Sequence, residues 1–204
     1  MAKATAQARK HLTKDPVFAP LLNGTSLEPL DLTNDIYLRL VRAITFQQLS
    51  GKAANTIYKR FLQLFNDGYP HPEDVLRFSI TDLRQVGLSR QKATYIQNVA
   101  QHFTENDLLR QDWSKLADDR ILKELTQIKG VGIWTVQMIL MFSLGRKDIL
   151  PTGDLAIQQS MRELYQLNGK GRQLEQQMLK VAEAWRPYRT VATRYLWRWR
   201  DTLV

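Results

Sequence analysis

Cysteine is absent from the 204-residue chain. That excludes disulfides, thiolate zinc sites and cysteine-ligated iron–sulfur clusters. Histidine is scarce: His11, His71 and His102 stand far apart in sequence, a poor basis for a histidine metal centre. Neither a cysteine nucleophile nor a serine–histidine pair with a nucleophile elbow has support. Long apolar runs are missing too. The mostly apolar stretch 136–144 falls well short of the roughly 20 residues that span a bilayer. The first residues carry charges but no hydrophobic signal core, so the sequence reads as a soluble intracellular protein with no membrane partner.

What is present is a normal globular share of apolar residues, 44 %, and a formal net charge of +9. The length suffices for one sizeable core or two small lobes. The charge favours a polyanion such as DNA or RNA, or merely keeps the protein in solution. Helical periodicity runs nearly throughout, with Gly and Pro between the periodic segments. No alternating strand pattern of useful length, fixed repeat or low-complexity tract interrupts it. The fold class is therefore all-α. Ile36, Leu40, Ala43 and Ile44 place a helix over 35–50, with Asn34 as its N-cap and a break at Ser50-Gly51. A second helix extends to about Asn66. A third covers 89–103, capped by Ser89, with Tyr95, Val99 and Phe103 on one face. Leu174, Met178, Val181 and Trp185 line a further one.

Residues 132–145 carry apolar side chains almost all round, the pattern of a central helix buried on most sides. Before it stands Leu125-Thr-Gln-Ile-Lys-Gly-Val-Gly-Ile-Trp-Thr135. One helix ends near Ile128, and Gly130 and Gly132 allow a sharp turn with left-handed dihedrals and close backbone approach. The next helix starts at once, with first-turn N–H groups suited to a phosphate oxygen and Lys129 beside them. The pattern is a helix-hairpin-helix that grips DNA backbone rather than base edges, or an ordinary helix turn with a glycine cap.

After the central helix, Pro151 and Gly153 stiffen a loop and Asp154 opens a new helix. An aspartate there is either an N-cap or a functional carboxylate. In the last helix, Tyr188, Ala192, Tyr195, Leu196 and Trp199 form one stripe. Trp197 projects from the opposite, polar side, among Thr190, Thr193, Arg194 and Asp201. A tryptophan there should line a cleft or pack against another lobe.

Four blocks carry a resemblance to a known family. They are Arg42-Ala-Ile-Thr-Phe-Gln-Gln-Leu-Ser50, Lys129-Gly-Val-Gly-Ile-Trp-Thr135, Leu150-Pro-Thr-Gly-Asp-Leu-Ala-Ile-Gln158 and Trp185-Arg-Pro-Tyr-Arg-Thr-Val-Ala-Thr-Arg-Tyr-Leu-Trp197. Taken in order, they resemble the helix-hairpin-helix DNA glycosylase superfamily, and within it the AlkA-like branch, DNA-3-methyladenine glycosylase II. The resemblance implies two helical lobes with an active-site cleft between them. Residues 36–147 would form a helical barrel lobe that includes the hairpin 125–135. Residues 1–35 plus 148–204 would form a second lobe carrying the catalytic aspartate. The chain lacks the extra N-terminal β domain of AlkA and so resembles the shorter members.

By the same resemblance Asp154 is the catalytic carboxylate. Trp134, Met138, Leu155 and Trp197 border the base pocket, and Gln47, Gln48 and Leu49, with Gln48 favoured, form a wedge that opens the duplex. Lys129, Gly130, Gly132 and Thr135 bind a DNA phosphate. The carbonyls of Thr126, Ile128 and Val131 match a structural site for Na+ or K+, and no other cofactor is implied. Met138 and Leu155 stand where AlkA carries tyrosines. Lyase members such as endonuclease III carry a lysine where this chain has Trp134, so simple base removal without strand cleavage is implied. The expected protein is a monomer acting on double-stranded DNA with alkylated bases, cytoplasmic and nucleoid-associated in a bacterium or nuclear in a eukaryote. The rival expectations are a non-catalytic hairpin DNA-binding protein, a bifunctional oxidised-base glycosylase and an RNA-binding module.

Overall fold

The computed structural model describes residues 2–24 and 26–202. Among these residues there is no strand, and no helix is long and apolar enough to cross a membrane. The α-helices are α1 (Ala2–Leu12), α2 (Ile36–Phe46), α3 (Gly51–Leu62), α4 (Pro72–Arg77), α5 (Ile80–Gln85), α6 (Arg90–Glu105), α7 (Asp118–Leu125), α8 (Ile133–Met138), α9 (Leu155–Tyr165), α10 (Gly171–Ala182) and α11 (Arg189–Asp201). Between α8 and α9 the chain makes a π-helical turn, Ile139–Ser143. The chain divides into two compact units. One comprises residues 1–31 and 140–204, the other residues 32–139.

The first unit packs α1, α9, α10 and α11 around Phe18, Ile157, Met161, Met178, Trp185 and Leu196. Beneath α1, one carboxylate organises the chain crossing. Asp15 Oδ2 accepts from the Tyr165 hydroxyl (2.6 Å) and the Trp185 indole (2.9 Å). Its Oδ1 accepts from the backbone N–H groups of Val17 and Phe18. Burial alone would raise the pKa of this group. The four donors outweigh it and hold the carboxyl below the ordinary aspartate value.

In the second unit, α2 to α8 surround Leu40, Ile44, Phe61, Ile96, Phe103 and Trp113, all at or near full burial. Ser89 caps α6 by accepting from Lys92 N–H, as its sequence position implies. The start of α2 differs from the sequence expectation. Asp35 is the N-cap, accepting from Leu38 N–H at 2.9 Å. Asn34 instead bridges to another segment, donating to Gln111 O and accepting from Trp113 N–H. The same helix ends at Phe46 rather than running on to Ser50. Gln48 adopts a left-handed φ of +55°, and Ser50 begins α3. The second helix correspondingly ends at Leu62, before Asn66.

The central helix is less enclosed than its composition implies. Ile133 is 63 % exposed and Trp134 47 % exposed. Burial begins only at Thr135 and Val136 and returns at Ile139, Leu140 and Met141. Its first turn therefore belongs to the surface and the remainder to the interior.

Two stability tests follow. Because the folded Asp15 carboxyl is more acidic than in the unfolded chain, its contribution is complete above the unfolded value. It is lost as pH falls through the folded one. Thermal melts from pH 6 down to pH 2 should show an acid-side loss of stability in the wild type that is reduced in Asp15→Asn. Gly130→Ala should destabilise by at least about 2 kcal/mol in urea titration, because a left-handed φ and a core overlap are both penalised. Gly130 has φ +107°, and an added Cβ would come within 2.2 Å of Tyr95 Cγ.

Candidate active site

Asp154 ends the stiff loop Pro151-Thr-Gly153 and caps α9. Its Oδ1 accepts from Ile157 N–H at 3.0 Å. The same oxygen accepts from the Trp197 indole N–H at 3.2 Å, reaching across 43 residues of chain. A cap needs only the first of these bonds. The second ties the carboxylate to a half-buried aromatic ring, which capping does not require. Trp197 in turn stacks on Phe142 of the π turn, with ring centroids 5.9 Å apart and planes 24° apart. Carboxylate, indole and phenyl ring thus form one contiguous group within the first unit.

The loop that delivers Asp154 is bolted to the start of α11, the helix that carries Trp197. Arg189 grips Asp148 bidentately, Nε to Oδ1 at 2.7 Å and Nη2 to Oδ2 at 3.0 Å, and Arg186 adds a 2.7 Å contact. Thr190 Oγ1 donates to Arg146 O at 2.6 Å and accepts from Ile149 N–H at 3.0 Å. Thr190 and Thr193 are both buried. The side of α11 that reads as polar is therefore not a solvent face. Its threonines face backbone of residues 146–149, and Trp197 emerges beside them.

Other residues indicated by sequence lie as follows. Leu155 is 67 % exposed and follows Asp154 directly, in the same unit. Trp134 and Met138 belong to the second unit, exposed and half-buried respectively. In the hairpin, Val131 N–H donates to Ile128 O at 3.0 Å, closing the turn. Lys129 is exposed, and its carbonyl accepts from Asn98 Nδ2 at 3.0 Å. Only one of the two glycines is left-handed. Gly132 has φ −94° and serves as N-cap of α8, and a Cβ there would meet nothing within 4 Å. Thr135 is buried to 5 %, so its place in the first turn of α8, rather than an exposed hydroxyl, sets what it can offer an anion. Thr126 Oγ1 is turned back onto Leu122 O at 2.6 Å. Gln47, Gln48 and Leu49 form the loop after α2, where Gln48 and Leu49 are exposed. Leu49 is therefore not a core residue.

Sequence reasoning missed Phe142 as a site neighbour and Asp148, Arg189 and Thr190 as the frame. The two arginines of Arg186-Pro-Tyr-Arg189 were the one available signal. A groove of about 440 Å³ in the second unit, lined by Tyr37, Tyr69, His71, Leu109 and Trp113 among others, contains none of the site residues that the resemblance indicates.

Comparison with known proteins bears on the family. The pattern described as HhH-GPD superfamily base excision DNA repair protein matches residues 41–187. The chain is 37 % identical over 165 residues to DNA-3-methyladenine glycosylase 1 of Schizosaccharomyces pombe, covering 79 % of this chain and 71 % of that protein. Its fold is similar to a solved S. pombe 3-methyladenine DNA glycosylase in complex with abasic DNA, with TM-score 0.77 and 33 % identity over 94 % of this chain and 95 % of that one. It is also similar to a DNA-3-methyladenine glycosidase of Bacillus halodurans, with TM-score 0.81 and 35 % identity over 96 % and 89 % of the two chains. The chain spans 61, 71 and 76 % of the length of three curated relatives that it matches at 32 to 37 % identity. With the hairpin, the Asp154 loop and α11 placed as described, the chain belongs to the HhH-GPD superfamily of base excision DNA repair proteins.

Proposed function

We propose that the chain is a monofunctional DNA glycosylase that excises alkylated purines, of the 3-methyladenine and 7-methylguanine class, from double-stranded DNA. The observation that carries this reading is the single Asp154 oxygen shared by the α9 cap and the Trp197 indole. That sharing presents a carboxylate of set orientation at the edge of an aromatic ring. The names of the relatives support the substrate class.

Alkylation at N3 or N7 makes a purine cationic, so its glycosidic bond breaks to release a neutral base. The enzyme's task is then to stabilise the positive charge that develops on the sugar. A fixed carboxylate does this by Coulombic attraction in a site shielded from water. Water supplies the hydroxyl to C1′ and gives its remaining proton to the solvent, and the bond to the base nitrogen is the one that breaks. One carboxylate suffices, unlike the pair used by ordinary glycosidases.

The target nucleotide first leaves the stack at a cost of a few kcal/mol. Gln48, exposed and held at positive φ, projects from a loop suited to filling the gap, with Gln47 and Leu49 beside it. The aromatic faces of Trp197 and Trp134 suit a cationic base, with Met138 and Leu155 as apolar neighbours. Lys129 and the backbone from Gly130 to Thr135 take the phosphate. Thr126, Ile128 and Val131 offer neutral carbonyl oxygens in one tight turn. The Ile128 oxygen keeps a lone pair beyond its turn bond, which fits a structural Na+ or K+. No cofactor enters the chemistry, and the chain acts as a monomer. Position 134 offers no amine for a Schiff base, so the abasic strand stays intact.

The test is release of methylated purines from alkylated duplex DNA. Asp154→Asn keeps a good N-cap, so its melting temperature should barely move. Its release rate should fall by about 10²-fold or more through loss of the charge. Equal release by the two proteins would sink the reading. At the hairpin, Gly132→Ala should leave stability within about 1 kcal/mol yet weaken duplex binding about tenfold, the worth of one charge-assisted hydrogen bond. Lys129→Ala should lower the slope of log affinity against log salt by about 1 in filter-binding or anisotropy titrations.

A further inference from the structure

Helix α6 lies behind both loops that the proposed function sends to the duplex, and three residues on one of its faces reach them. Lys92 Nζ donates to Thr45 O at 2.8 Å, on the last turn of α2, directly before Gln47-Gln48-Leu49. Tyr95 lies one turn further on, its ring against Gly130 of the hairpin and its hydroxyl accepting from Gln91 Nε2 at 2.8 Å. One turn beyond that, Asn98 Nδ2 donates to Lys129 O at 3.0 Å. Spaced three apart, these residues occupy a face about 120° wide and span about 9 Å along the helix.

Lys92 is not placed there for the benefit of α6. A cation in the first turn opposes the helix dipole, and burial pushes the Lys92 ammonium below its ordinary value. Its compensation comes from the other helix. In the last turn of α2 the Gln47 N–H serves the Ala43 and Ile44 carbonyls and the Leu49 N–H that of Phe46, while Lys92 supplies a donor to Thr45 O, where the dipole end is negative. What Lys92 fixes is therefore the exit of the chain from α2, just ahead of the left-handed Gln48.

We propose that Lys92, Tyr95 and Asn98 form a bracket that positions the probing loop and the hairpin independently, with Lys92 a positioning residue for opening the duplex and Asn98 for gripping its backbone. The inference rests on the DNA-facing roles given above to residues 47–49 and 129–132, but not on base excision.

The experiment uses the full chain and a duplex with a tetrahydrofuran abasic analogue next to 2-aminopurine, whose fluorescence rises when the stack is opened. Lys92→Met keeps the aliphatic stem. It should bind with wild-type affinity and salt slope but lose most of the fluorescence rise at saturating protein. Asn98→Leu should show the reverse, a several-fold loss of affinity with the full rise once saturated. Neither readout depends on base release, which separates this test from the catalytic one. The bracket is overturned if Lys92→Met keeps the rise, or if the two α6 variants lose affinity and rise together, as a merely structural helix would require. It is equally overturned if the wild type gives no rise, since the loop then never enters the stack. Melting temperatures of both variants confirm that folded protein is compared.

Discussion

One carboxylate oxygen carries two hydrogen bonds on which the site depends. Asp154 Oδ1 receives the first-turn N–H of Ile157 and the indole N–H of Trp197. The first bond fixes where α9 begins; the second fixes where that beginning lies relative to α11. Remove either donor and the carboxylate regains freedom that the proposed charge-stabilising role does not allow. The surrounding contacts serve the same constraint. Arg189 on Asp148 and Thr190 on the backbone of Arg146 and Ile149 hold the preceding loop to α11, so oxygen and indole approach from elements already joined.

The two units differ in what they contribute. The first contains the carboxylate, the indole and Leu155 in a helical packing centred on Trp185 and its Asp15 partner. The second contains the hairpin and the loop after α2, both surface features fastened to α6. The two hairpin glycines differ in role within three residues of chain. Gly130 is demanded by the fold, through its dihedral and its contact with Tyr95. Gly132 meets neither constraint: its φ is −94° and an added Cβ would find open space.

Much of this was legible in the amino-acid sequence. Helical periodicity and punctuation placed the elements, and family blocks pointed to Asp154 and Trp197. Of the two competing readings of Asp154 the structure shows the cap, and the cap oxygen also binds the indole. The argument for Trp197 rested on a polar face that the structure does not show, since Thr190 and Thr193 are buried rather than solvated. Threonines that bond to another segment's backbone look the same in sequence as threonines facing water. Likewise Asn34 and Asp35 are both good caps, and only the distant Gln111 and Trp113 decide between them. The Asp148–Arg189 pair spans 41 residues and has no local signature. The exposure of Ile133 and Trp134 was hidden for a related reason. An all-round apolar helix implies burial on every side, but periodicity cannot tell at which residue the cover starts.

The π turn at Ile139–Ser143 is also invisible to periodicity, and it carries a consequence for how this stretch can vary. A π turn accommodates more residues per revolution than an α turn, so everything beyond it is rotated relative to a plain continuation of α8. Phe142 meets the Trp197 ring because of that rotation. Losing a single residue between Val136 and Ser143 would restore regular winding and swing the phenyl ring about 100° away. The number of residues here is thus held more tightly than their identity: exchanges of one apolar side chain for another leave the indole's neighbour in place, whereas a change of length does not.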